Sequence, residues 1–220
     1  MKRLIDLSHT VEHGMITFKG LPAPIICDYL SREESRSRYE PGTEFQIGKI
    51  EMVSNTGTYI DAPFHRYADG KDLSEITLEK LANLEAIVVR ADYRNGIEVG
   101  KQFFEKIPVA GKAVLVNTNW SAFWRTDAYF ENHSFLTEEA AIYLRDQGVV
   151  LVGIDSHNID DTRGKSRPVH SVLLRSEIIV AEHLCNLDQL PDNRFTFTAV
   201  PPKVKGMGTF PVRAYAALHD

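Results

Sequence analysis

The strongest constraint on how this chain folds is the run Val149–Asp155, VVLVGID. It is apolar at consecutive positions and rich in β-branched residues. As a strand it has no polar face to turn to water, so it needs packed layers on both sides. Three other runs have related character: Glu85–Asp92 (EAIVVRAD), Ala113–Thr118 (AVLVNT) and Ile178–Ala181 (IIVA). Phe195, Phe197 and Ala199 alternate with Thr196 and Thr198, which predicts a strand with one buried face. Phe45 and Ile47, then Ile50 and Met52, alternate with a one-residue phase slip, which predicts a bulge near Gly48.

Helix signals are fewer. Thr137 is placed to cap a helix through EEAAIYLRDQ, with two glutamates in its first turn and Gly148 to end it. Ser74 or Thr77 is placed to cap a second through LEKLANL, and a third is expected over Val99–Lys106. Few strands are joined by one clean crossover helix, which argues against a regular doubly wound sheet. The expectation is an α/β fold of mixed type: a mixed β core with the 137–148 helix and one or two others packed on it. No linker, repeat or low-complexity segment divides the chain, so residues 1–220 are expected to form a single domain.

Composition narrows the function classes. A chain of 220 residues with 43% hydrophobic content buries about 70% of its unfolded surface. It needs no disulfide or structural metal in order to fold. The formal charge of -5 and a pI of 5.9 argue against phosphate-backbone binding, so no nucleic-acid partner is expected. Arg32–Arg38, the most basic stretch, also holds Glu33 and Glu34 and reads as a solvated face. Cys27 and Cys185 lie in no CxxC or zinc-finger spacing, and a reduced protein is the simpler reading. The start, MKRLIDLSHTVEHG, lacks the apolar core of a signal peptide. No stretch approaches the ~18 apolar residues of a membrane span. A cytoplasmic location with no membrane partner is the resulting expectation.

The densest chemistry lies in Ser54–Asp72, SNTGTYIDAPFHRYADGKD, centred on Asp61 and His65 four residues apart around Pro63. Carboxylate and imidazole are ligands for zinc and manganese, and imidazole is the commonest general base near neutral pH. On its own, DAPxH reads equally well as a turn with a surface histidine. A second group lies in Arg167–Leu187, where His170 precedes Leu173-Leu174 and Glu182 ends the IIVA run. Twelve residues apart, they are not neighbours on one helix; a loop followed by a strand would bring them together. Each alone is more often an ordinary exposed or satisfied side chain. Asp155, His157, Asp160 and Asp161 follow the buried strand, where a site or a capped polar loop is equally at home. His9 and His13 are weak ligand candidates, because Gly14 and the β-like IDLSHTV argue against a helix there. Trp120, Phe123, Trp124 and Tyr129 read as core or as one wall of an apolar pocket.

Taken together, IDLSHTVEHGM, NTGTYIDAPFH, the Trp120–Tyr129 region, VVLVGIDS, VHSVLL…AEHL and VKGMGTFPVRAYA resemble, in order and spacing, the cyclase family of metal-dependent hydrolases, which includes the bacterial kynurenine formamidases. The resemblance implies a swivelling β/β/α-type cyclase fold. The family motif HxGTHxDxPxH falls on residues 55–65. It implies that Asp61 binds metal, that His65 acts in catalysis, and that His170 and Glu182 complete the site. The two leading histidines of the motif are Asn55 and Tyr59 here. One divalent metal per chain, zinc or manganese, held by Asp61, His170 and Glu182 is therefore expected. The implied activity is hydrolysis of a carbon–nitrogen amide bond by metal-activated water, in an aryl formamide such as N-formylkynurenine or in a cyclic amide. In that scheme His65 handles the proton and Tyr59 donates a hydrogen bond to the carbonyl. A lactone or other cyclic substrate, or a non-catalytic small-molecule binder of the same fold, are the alternatives. A homo-oligomer, expected to be a dimer, is implied by the family and by the number of aromatic side chains.

Overall fold

The computed structural model describes residues 3–219. Its frame is one nine-stranded mixed sheet, curled into a half-barrel. In chain order the strands are β1 (Leu4–Asp6), β2 (Ile25–Leu30), β3 (Ile47–Glu51), β4 (Tyr59–Asp61), β5 (Leu84–Arg90), β6 (Glu98–Val99), β7 (Ala113–Asn117), β8 (Phe135–Leu136), β9 (Leu151–Ile154), β10 (Ile179–Glu182), β11 (Phe195–Thr198), β12 (Thr209–Pro211) and β13 (Tyr215–Leu218). The large sheet runs β1-β13-β11-β5-β7-β9-β10-β4-β12; β2 with β3, and β6 with β8, make separate pairs. Inside it β5, β7, β9 and β10 are parallel, and every other pairing is antiparallel.

The apolar runs become the parallel centre, as their two-sided hydrophobicity requires. Val114, Val116, Val152, Ile154 and Val180 point to one face. There they meet two helices, α2 (Glu138–Asp146) and α3 (Pro168–Arg175), through Ala140, Ala141, Leu144, Val169, Leu173 and Leu174. Leu115, Leu151, Ile179 and Ala181 point to the other face, which closes over Ile5, Ile60, Phe195 and Phe197.

α2 begins as predicted. The Thr137 side chain accepts from the Ala140 N–H at 3.2 Å, and the chain turns out at Gly148 with φ +73°. The other helix expectations are corrected. LEKLANL gives one 3-10 turn, Leu78–Lys80, because Asn83 takes φ 54° and Leu84 already enters β5. Val99–Lys106 gives only the turn Lys101–Phe103. α3 was not expected: His170 sits on a helix, not on a loop. The irregularity expected near Gly48 lies in the partner strand. Asp28 pairs Gly48 and Leu30 pairs Ile47, so the extra residue is Tyr29.

Candidate metal centre and active site

The site is built on β4, three buried residues between β10 and β12. Side chains alternate along a strand, so Tyr59 and Asp61 share a face and Ile60 turns into the core. Register then selects their neighbours: Glu182 stands opposite Tyr59, and Thr209 stands opposite Asp61. Directly paired residues meet on one face of a sheet, and both pairs do. The Tyr59 hydroxyl donates to Glu182 Oε2 at 2.6 Å, and the Thr209 hydroxyl donates to Asp61 Oδ1.

Beyond β4, Pro63–His65 forms a single 3-10 turn that lays His65 beside Thr209. The turn lies against Gly208, where a Cβ would stand 2.3 Å from the His65 nitrogen; only glycine allows that approach. His65 Nδ1 is 2.8 Å from Thr209 Oγ1. The threonine proton is already given to Asp61, so the Nδ1–H of His65 must be the donor. That makes Nδ1 the nitrogen turned to Thr209 and leaves Nε2 free of it.

His170 descends from α3 onto the same face. Its Nδ1 lies 2.6 Å from Asp160 Oδ2, and Asp160 also accepts the backbone N–H groups of Val169 and His170 at 2.7 and 3.0 Å. One carboxylate thus caps the helix start and orients the imidazole. Nε2 of His170 stands 3.5 Å from Asp61 Oδ2 and 3.6 Å from Glu182 Oε1. Glu182 is otherwise well supplied with donors, from Ile159 N–H at 2.7 Å, Tyr59 and the Asn158 amide. Asp61 Oδ2 is buried and has no hydrogen-bond partner among the described residues.

The electrostatics describe a place made for a positive charge. Burial disfavours charge on His170, but the carboxylates of Asp160, Asp61 and Glu182 outweigh it and raise its pKa to about 10. Burial also works to raise Asp61, yet the His65 and His170 rings and the Thr209 hydroxyl hold its carboxyl below the usual range. Glu182 is pushed up to about 7, chiefly by burial. A divalent ion fits this donor set. Ligand atoms about 2.1 Å from a small ion lie roughly 3.4 Å apart, close to the separations around His170 Nε2. Asp61, His65 and His170 bring ligand atoms within 4.8 Å of one another, and Glu182 joins them through His170.

All the residues singled out around Asp61 and His170 therefore meet. Asn55, Tyr59, His65, His170 and Glu182 line one cavity of about 280 Å³, together with Phe18, Leu21, Arg66, Asn158 and Arg167. Three expectations fare differently. The aromatic group 120–129 does not line this cavity: Trp120 and Tyr129 are buried, and Trp124 stacks on His9 with ring centroids 3.9 Å apart. His9, His157 and His183 lie among those rings, outside the metal-ligand group. Asp155 is the capped loop residue, accepting from Thr118 and Asn119 N–H groups at 2.8 and 2.9 Å. Sequence reasoning missed Thr209 altogether. It named Asp160 only as part of an acidic cluster, and the asparagine and proline flanking that stretch (Asn158, Pro168) were the available signal of a cap for a short helix.

A buried carboxylate–imidazole group with one orphaned oxygen, set in an open cavity, defines a hydrolase site of metal-dependent type. The family described as "Putative cyclase" matches residues 5–161, and the chain belongs to this Cyclase family of metal-dependent hydrolases. It is similar to a kynurenine formamidase of Bacillus anthracis, 28% identical over 212 residues, 96% of this chain and 95% of that protein. Among solved structures it resembles a potential metal-dependent hydrolase with cyclase activity, 25% identical with a TM-score of 0.80 over the whole of both chains. The fold is also that of isatin hydrolase A from Labrenzia aggregata, at 22% identity and a TM-score of 0.83, covering 100% of this chain and 94% of that one.

Proposed function

We propose that this enzyme hydrolyses a carbon–nitrogen amide bond in a small molecule, an aryl formamide such as N-formylkynurenine or a cyclic amide. One divalent ion per chain, zinc or manganese, is held by Asp61, His170 and Glu182. The observation that carries this reading is the buried, unpartnered Asp61 Oδ2 facing His170 Nε2 at 3.5 Å. An ion there supplies Lewis acidity, polarising a carbonyl and lowering the pKa of water.

The chain's own residues divide the remaining work. His65 Nε2 takes the proton of the attacking water and returns it to the leaving nitrogen. Asp160 and Thr209 hold the two imidazoles in working orientation. The single proton of Tyr59 is engaged by Glu182, so Tyr59 positions that carboxylate instead of donating to a substrate carbonyl. This bond also supports one ion over two: Tyr59 and Asn158 fill the Glu182 oxygen turned away from His170.

A second reading has specific support, because His65 lies in the compact ligand group; there His65 is a ligand and Glu182 a hydrogen-bonded neighbour. The names of the similar kynurenine formamidase and isatin hydrolase support amide substrates. A metal-supplemented screen of aryl formamides, lactams and lactones tests the function. Turnover of lactones alone would replace the amide reading.

Two wider proposals accompany this one. The β2–β3 arm exposes Ile25, Ile26, Tyr29, Ile47 and Ile50 over its two faces, apolar side chains suited to burial against a second copy of the chain in a homodimer. Cytoplasmic residence is proposed; among the described residues no helix is long and apolar enough to cross a membrane.

A further inference from the structure

The cavity above His65 and His170 carries two arginines, Arg66 and Arg167. Neither guanidinium lies within 4.0 Å of a carboxylate among the described residues, whereas Arg163 and Arg175, on the same stretch of chain, are paired with Asp161 and Asp69. Arg167 is half-buried and fixed from one side. Its Nη1 donates to the carbonyls of Ser166, Gly164 and Asp161 at 2.7, 3.0 and 3.3 Å. No hydrogen bond among the described residues uses its Nη2 or Nε. The exposed Arg66 lies over the Tyr67 ring at 5.4 Å and donates through Nε to Ser171 Oγ at 3.3 Å, and no hydrogen bond among the described residues uses its terminal nitrogens. Phe18 and Leu21 supply the apolar part of the same lining.

We infer that Arg66 and Arg167 form an anion clamp, so that the substrate is an aromatic or similarly flat amide carrying a negatively charged group. This rests on the proposed amide hydrolysis. The chain as a whole is acidic, at -5, and the cavity lining holds Glu182, with the buried Asp61 3.5 Å from the lining residue His170. Two uncompensated guanidinium groups on the lining of such a cavity reverse its sign locally. A planar fork with free N–H donors is the form of side chain that recognises a carboxylate or related oxyanion in two-point fashion. Phe18 and Leu21 leave an apolar surface for the body of the ligand. The amide end then faces His65 and His170, and the charged end faces the arginines. A neutral amide of the same size makes only the apolar contacts.

The test uses the zinc-loaded full chain and reads both binding and turnover. In hydrolysis, 2-formamidobenzoate is expected to have a KM at least ten-fold below that of formanilide. Arg167→Gln should raise the KM for 2-formamidobenzoate about ten-fold more than it raises that for formanilide, with Arg66→Gln acting in the same direction. Arg167→Lys, which keeps the charge and loses the fork, should fall between. Binding is read separately by calorimetry with benzenesulfonate, an anion that ligates metals poorly, against benzamide. Benzenesulfonate should bind more tightly to the wild type, and the preference should vanish in the Arg66→Gln/Arg167→Gln double variant, shown folded by circular dichroism and an unchanged zinc content. If neither an aryl formamide nor a lactam is turned over, the amide reading fails, and the calorimetric comparison still decides the clamp. Equal binding of benzenesulfonate and benzamide to the wild type, or an undiminished anion preference in the double variant, would overturn it.

Discussion

Replacing Thr209 by valine removes one hydroxyl and almost no volume, at a residue only 2% exposed. Among the described residues that hydroxyl is the one hydrogen-bond donor to Asp61 Oδ1, and it is the acceptor for His65 Nδ1. Asp61 is fully buried, and its other oxygen already lacks a hydrogen bond. A hydrogen bond to a charged group contributes about 1.5–3 kcal/mol. With no cavity created, Thr209→Val should therefore destabilise the metal-free protein by about that amount, which urea unfolding measures. The kinetic effect is separate. His65 loses the contact that orients its ring, and loss of an outer-shell partner typically costs ~10–100-fold. The fall should appear in kcat for an aryl formamide, with Thr209→Ser recovering most of it. A Thr209→Val enzyme with unchanged kcat, or a Thr209→Ser enzyme as impaired as the valine variant, would refute the assignment of this threonine.

Other consequences are open to direct measurement. His65→Ala should lose about 10²–10⁴ in kcat while keeping its metal, as expected on removing a general base. His170→Ala should lose the metal itself, and equal metal loss in both variants would make His65 a ligand. Burial lowers the pKa of His9 to about 4 and of His157 to about 3, and carries His183 well below its ordinary value. Because these folded pKa values lie below the unfolded one, their contribution is complete above pH ~6.5 and is lost progressively as the pH falls towards those values. Each histidine should cost about 1.4 kcal/mol per pH unit in that window. Glu182 and Asp155, both raised by burial to about 7, add stability as the pH falls and offset part of that cost. Unfolding midpoints in urea should therefore still drop between pH 6.5 and 5, and should rise instead if the three histidines titrate normally. Light scattering at micromolar concentration should give twice the 24.8 kDa chain mass, and Ile47→Glu on the exposed arm should shift it towards the monomer. A wild-type mass of one chain would remove the dimer.

Much of the frame was legible because it follows from local pattern. Two-sided apolar runs became the parallel strands β5, β7, β9 and β10, and Thr137 with Gly148 bounded α2. Asp61, His65, His170 and Glu182 were legible as a set only through the resemblance to the cyclase family, since each alone reads more readily as an ordinary turn or surface side chain. Thr209 was not, because its meeting with Asp61 is a matter of register between strands 148 residues apart. α3 was hidden by its shortness and by its dependence on a cap from outside: its N-cap Arg167 makes no side-chain capping bond, and Asp160 supplies that bond across a loop. The short 3-10 turns fail for a related reason. LEKLANL has helical spacing, but the adjoining strand claims Leu84 before a second turn can form. The aromatic block could not be assigned to core or cavity from composition. Its rings pack on His9, His157 and His183, which lie far apart in sequence.

On the proposed reading Asp61, His170 and Glu182 hold one ion, the Tyr59 hydroxyl occupying the Glu182 oxygen turned away from it. Elemental analysis of the purified chain, equilibrated with zinc or manganese and freed of loosely held ions, tests this directly. One ion per chain in the wild type, and none in His170→Ala, is the predicted result. Two tightly held ions per wild-type chain, or a wild type that retains none, would contradict it.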